Sequence, residues 1–204
     1  GRIGRAFAAR CTGLEVDILC CARTAVDPVW LAKIQRVLTL RADSGLTALP
    51  CSIREVKLQQ ALEMGDYISS HVPLNQDTHH LIDRKALGFM KSTAFLINTS
   101  RGAVVDEAAL VEALKENRIA GAALDVFEQE PLPPDSSLRD PALEDRLRLF
   151  HHFGSGGRQT RLSADPEKGM AGRTVEGVIQ VLERKSDQEL TRIPYVVNKE
   201  AFGG

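Results

Sequence analysis

The chain has 204 residues, 43% hydrophobic, 26% charged and 5% aromatic, which is the composition of an ordinary globular domain with enough length for a real core. Its 26 Lys and Arg against 27 Asp and Glu leave a net charge of −1 with no long block of either sign, which argues against nucleic acid as a partner. No apolar run approaches the roughly 18 residues of a membrane helix, and Cys11, Cys20, Cys21 and Cys51 form no C-x-x-C pair or zinc spacing, so no membrane contact, metal site or disulfide framework is expected and the thiols are read as buried and reduced in a cytoplasmic protein.

The chain opens on Gly1-Arg2-Ile3-Gly4, neither an initiator methionine nor a signal segment, and is read as entering in mid-domain. Gly1-x-x-Gly4 fits the last two glycines of G-x-G-x-x-G, where backbone N–H groups and the helix dipole face a pyrophosphate; it fits equally a helix start rich in small residues. A helix is expected from Arg2 to Cys11, then a strand from Val16 to Cys21 on which Cys20 and Cys21 point to opposite faces. From Asp27 to Ser52 the pattern is irregular, with a short helix at Trp30 to Val37.

An amphipathic helix follows around Glu55 to Met64, then a strand from Asp66 to His71. A short helix near Arg84 to Met90 precedes a buried strand at Ala94 to Asn98, and Asp106 caps a helix running to about Asn117. Strands at Gly121 to Val126 and Leu147 to Phe150 flank a proline-rich loop, a last helix runs from about Met170 to Arg184, and residues 186–204 read as a tail after a domain spanning 1–185. Strands alternating with helices specify an α/β fold built on a parallel sheet.

In such a sheet ligands sit beyond the carboxyl ends of the strands. Asn98-Thr99-Ser100-Arg101-Gly102, Asp125 and His151-His152 arrive there from successive strands, with Glu130 a few residues further on. Arg101 can hold a carboxylate bidentately, and His152 can exchange a proton near neutral pH with Glu130 as its carboxylate partner. Taken singly, each also has an ordinary reading: a surface ion pair, a hydrogen-bonded core histidine, a solvated loop charge. Their convergence on one sheet edge favours a catalytic set.

These segments resemble the D-isomer-specific 2-hydroxyacid dehydrogenase family, glyoxylate and hydroxypyruvate reductases included. The resemblance rests on Gly1-Arg2-Ile3-Gly4-Arg5, His71-Val72-Pro73-Leu74, Ile97-Asn98-Thr99-Ser100-Arg101-Gly102, Asp125-Val126-Phe127-Glu128-Gln129-Glu130-Pro131 and His152-Phe153-Gly154-Ser155, and it runs to about Leu182. It implies a doubly wound parallel sheet of the Rossmann type that lacks its first strand and the family's N-terminal substrate domain, hence a fragment.

The resemblance also implies roles. Arg101 would bind the carboxylate of a 2-oxo acid, His152 would donate the proton in reduction, and Glu130 would support His152, while Asp125 would orient the nicotinamide carboxamide. Gly1, Arg2, Ile3, Gly4, Val72, Pro73, Thr99, Ser100 and Gly154 fall in the motifs that hold the dinucleotide. Glu130 stands where formate dehydrogenases carry Gln, and His151 where a proline is usual. His79 and His80 are read as structural residues in a helical turn away from this edge.

An NAD-preferring Rossmann domain places an acid about 20 residues after the glycines. Here that position is Ala22, followed by Arg23 and Thr24, which suit a 2′-phosphate, so NADP is expected over NAD. The expected partner is a small 2-oxo or 2-hydroxy acid, in a homodimer. The alternative is a dinucleotide-sensing protein without turnover, like the family's corepressor branch, or an inactive fragment.

Overall fold

In the computed structural model, residues 1–155 are described. They divide into a compact unit Gly1–His151 and the start of a second unit that opens at His152. The last expected helix, the boundary at residue 185 and the tail lie outside the described residues.

The first unit alternates helices and strands: α1 (Arg2–Cys11), β1 (Ile18–Cys20), α2 (Pro28–Asp43), β2 (Ile53–Glu55), α3 (Leu58–Met64), β3 (Tyr67–Ser70), α4 (Arg84–Phe89), β4 (Phe95–Asn98), α5 (Glu107–Lys115), β5 (Gly121–Leu124) and β6 (Leu147–Leu149). Every pairing is parallel. The strands form two sheets, β1-β2 and β3-β4-β5-β6, with helical crossovers between the paired strands as far as β5. This is the parallel α/β arrangement that the pattern predicts, and all strand exits in a sheet face one edge.

Two apolar clusters match the two sheets. Leu62, Leu87, Leu96, Leu110, Leu114, Ile119 and Leu124 are almost completely buried between α3, α4, α5 and the larger sheet. Ala8, Cys11, Ile18, Ile34, Leu38 and Ile53 form a smaller cluster beneath α1 and α2. Among the described residues, no helix is long and apolar enough to cross a membrane.

Several elements depart from expectation. Residues 27–52 are mostly one 16-residue helix, started by Asp27, whose side chain accepts from the Val29 N–H at 2.9 Å, with Pro28 in the first turn. Its apolar residues are interrupted by exposed Val29, Val37 and Leu40, which blurs the helical period. The helix expected around Glu55 to Met64 begins only at Leu58, and Glu55 ends β2, which is too short for an alternation to register. Only Cys11 of the four thiols is buried; Cys20 and Cys51 are half-buried and Cys21 is exposed, because Cys21 lies past the last residue of β1.

Candidate active site

The exits of β3, β4 and β5 are tied together by short polar contacts. Asn98, the last residue of β4, is fully buried and organises the turn that follows: its amide donates to the Arg101 carbonyl at 2.9 Å, and its Oδ1 accepts from the Ser100 N–H at 3.1 Å and from Ser100 Oγ at 2.8 Å. A buried amide satisfied in this way fixes the turn, since leaving it unpaired would be costly. Ser100 Oγ lies 3.0 Å from Ser70 Oγ at the end of β3, and the Asp125 N–H donates to the Asn98 carbonyl at 3.0 Å.

Gly102 brings the next two segments together. A Cβ on Gly102 would sit 1.8 Å from the Phe127 carbonyl carbon and 2.3 Å from the Glu128 nitrogen, so only glycine allows this backbone crossing. The turn carrying Arg101 is thereby pressed against the segment carrying Asp125 and Glu130. Arg101 is exposed, its guanidinium donating to the Ser100 carbonyl at 2.7 Å. Asp125 is buried at the exit of β5, and Glu130, itself exposed, accepts from the Phe127 N–H at 3.1 Å and precedes a cis bond to Pro131.

A second set of contacts fastens the same segment to α5. Glu107 accepts from the Glu128 N–H at 2.7 Å while Glu128 accepts from the Glu107 N–H at 3.1 Å. Burial pushes the Glu107 carboxyl up, with the neighbouring Glu128 charge adding to the rise. His80 Nε2 lies 3.1 Å from Glu128 Oε1, and His80 Nδ1 lies 4.0 Å from Asp106, which caps α5. His80 therefore reaches the segment that bears Glu130 rather than lying away from this edge. It sits in a turn, at φ 50, stacked on His79. Asn98 and Gly102 have no individual role in the sequence reading, and His80 is read there as structural and away from this edge; the Arg-Gly pair after a strand marks Gly102, whereas nothing in the spacing marks His80.

The other edge residues fall where α1 and the exits of β1 and β3 lie. Gly1 is the N-cap of α1, the helix has no side-chain cap and no acid in its first turn, and Gly4 rests against His71, a Cβ on it being 3.6 Å from His71 Cβ. Such an end leaves first-turn N–H groups for an anion, so Gly1, Arg2, Ile3 and Gly4 fit a dinucleotide phosphate. His71 is held by Ser69 Oγ at 3.0 Å and by the Phe7 ring at 4.9 Å, and burial keeps its imidazole below the usual range. Val72 is half-buried, exposed Pro73 accepts at its carbonyl from Thr78 Oγ1 at 2.6 Å, and Thr99 is exposed. Arg23 and Thr24 are exposed beyond β1, and Arg23 lies 3.8 Å from Asp77.

The unit thus brings Arg101, Asp125 and Glu130 onto one set of interlocked turns. His152 and Gly154 belong to the second unit. Within it His152 is half-buried at φ 58, followed by a 3-10 helix Phe153–Ser155.

The sequence profile described as D-isomer specific 2-hydroxyacid dehydrogenase, NAD binding domain, matches residues 1–153. A glyoxylate reductase of Thermofilum pendens is 40% identical over 202 residues, 99% of this chain and 50% of that protein. Among solved structures, the TT0316 protein of Thermus thermophilus aligns with a TM-score of 0.67 at 37% identity, over 90% of this chain and 48% of the other. An NADPH-dependent glyoxylate/hydroxypyruvate reductase of Sinorhizobium meliloti, in complex with NADP and malonate, aligns with a TM-score of 0.59 at 31% identity, over 77% of this chain and 41% of the other. The chain spans about half the length of the Thermofilum protein it matches.

Proposed function

The chain belongs to the D-isomer specific 2-hydroxyacid dehydrogenase family through its NAD-binding domain, and from that premise we propose that it forms the dinucleotide half of a reductase of 2-oxo acids such as glyoxylate or hydroxypyruvate. The observation that carries this reading is the crossing at Gly102, which presses the Arg101 turn onto the segment of Asp125 and Glu130. A fixed cation beside an acid at the exits of a parallel sheet suits an anionic carbonyl substrate next to a nicotinamide.

The bound nicotinamide supplies the hydride. By the family resemblance, Arg101 would bind the substrate carboxylate and polarise the carbonyl, His152 would donate its proton to the oxygen that develops negative charge, and Glu130 would serve as the carboxylate of the catalytic set. Asp125 would orient the carboxamide and the first turn of α1 would hold the pyrophosphate, with Val72, Pro73, Thr99 and Ser100 among the residues that would hold the dinucleotide and Gly154 assigned to the same group by the family motif. The neutral residue at Ala22, with Arg23 and Thr24 after it, supports NADP over NAD. A cytoplasmic homodimer is the assembly that the resemblance supports, and sedimentation of the purified protein tests the dimer.

The experiment is oxidation of NADPH and of NADH with a panel of 2-oxo acids, carried out on the full-length protein of which this chain forms the dinucleotide half. Turnover with glyoxylate or hydroxypyruvate and a higher kcat/KM for NADPH are expected. Tight dinucleotide binding with no turnover would instead identify a sensor. Replacing His152 by Ala should lower kcat by about two to four orders of magnitude, the usual worth of proton donation, with NADPH affinity little changed; an unaltered kcat removes His152 from the chemistry. Arg101→Lys should raise KM for the 2-oxo acid, because an ammonium lacks the planar fork, and a normal KM would contradict the carboxylate role.

A further inference from the structure

The exits of β1 and β3 carry opposite charges toward each other. Arg23 projects from the segment after β1 with its side chain 78% exposed, and Asp77, 74% exposed, comes from the turn after β3 to within 3.8 Å of it. This is Arg23's ion pair among the described residues. The other carboxylates flanking the segment after β1 are committed elsewhere: Asp27 caps α2 and lies 4.0 Å from Arg5, and Glu55 accepts from the Val26 N–H at 3.1 Å.

The turn that presents Asp77 is built without the Asp77 carboxylate. Asn75 Oδ1 accepts from the Asp77 N–H at 3.0 Å and from the Thr78 N–H at 3.1 Å, and Thr78 Oγ1 donates to the Pro73 carbonyl at 2.6 Å. The carboxylate can therefore be removed without dismantling its support.

We propose that Asp77 sets how strongly this chain distinguishes a 2′-phosphate from a 2′-hydroxyl on an adenosine ribose, by occupying the Arg23 guanidinium and by repelling the phosphate. This rests on Arg23 as the 2′-phosphate ligand. A phosphate arriving at Arg23 must displace Asp77 and then share its surroundings with that charge, whereas a ribose hydroxyl suffers no repulsion and can donate to the carboxylate. An exposed pair of this kind shifts an equilibrium by a factor of about 1.5 to 5, and direct repulsion of a phosphate dianion adds to it.

The test is calorimetric titration of the full chain with adenosine 2′,5′-bisphosphate and with adenosine 5′-phosphate, which needs no turnover. Asp77→Asn should tighten the bisphosphate about threefold to tenfold at low salt and leave the 5′-phosphate within about twofold, the gain fading as ionic strength shortens the range of the charge. Arg23→Met should remove the preference for the bisphosphate. If Arg23→Met removes it but Asp77→Asn changes nothing, or tightens both nucleotides equally, the role of Asp77 is overturned and that of Arg23 stands. If neither substitution alters the preference, or the chain binds neither nucleotide, the assignment of Arg23 falls and the role of Asp77 with it.

Discussion

At Gly102 a single methyl group decides whether two segments can cross. The nearest atoms to an added Cβ are the Phe127 carbonyl and the Glu128 nitrogen, and backbone cannot swing aside as a flexible side chain can. Gly102→Ala should therefore cost about 2 to 4 kcal/mol, in the range of severe overpacking. Urea unfolding measures it, and a loss below about 0.5 kcal/mol, that of an ordinary surface change, would contradict the crossing. His71 gives a second test at this scale. Burial holds its imidazole low, so the unfolded chain binds a proton that the folded chain refuses. That difference leaves stability intact above the unfolded value of about 6.5 and removes it as pH falls below that point. Thermal melts at pH 7.5 and 5.5 should show a smaller drop in His71→Gln than in the parent, and equal drops would show that His71 does not titrate in this way. The placement of Arg101 and Asp125 just past the ends of β4 and β5, with Glu130 a few residues further on, is legible from the strand pattern. The Arg-Gly pair marks Gly102 but not the crossing, because Gly102 acts through what it omits; His80 is read as lying away from this edge because it acts through a contact across 48 positions of chain.

Single elements explain which boundaries the sequence disclosed. Asp106 accepts from the Ala109 N–H at 2.9 Å, and so marks the start of α5 as a cap should. Its far end closes on Asn117 at φ 57, where the Arg118 N–H returns to the Ala113 carbonyl at 2.8 Å and the Asn117 N–H to the Leu114 carbonyl at 3.2 Å. This double closure requires a left-handed residue. Asn117→Gly should stabilise the chain by a few tenths to about 1 kcal/mol and Asn117→Val should destabilise it by about 1 to 2 kcal/mol; chemical denaturation giving the opposite order would refute the closure. By contrast, α2 concealed its length because its exposed face is partly apolar, and β2 concealed itself because three residues cannot establish an alternation.

Across the first unit, the alternation of strand and helix disclosed the fold class, since parallel strands need helical crossovers. What it did not disclose is the division into two sheets, each with its own apolar cluster, because hydrophobic patterning records burial and not partner choice. The cluster around β4, β5 and α5 is the larger, so its amides should resist hydrogen exchange longest, while those of β1 and β2 exchange through a lower-energy opening. Equal protection in β1 and β5 would show instead that the two clusters open as one.

The Gly102 crossing also constrains anyone who sets out to reshape substrate preference. Because two peptide planes rest directly on each other there, a remodelled Arg101 turn will drag residues 126–130 along with it. Libraries that randomise either stretch alone will sample mostly broken proteins, and adaptive variants should surface as paired changes.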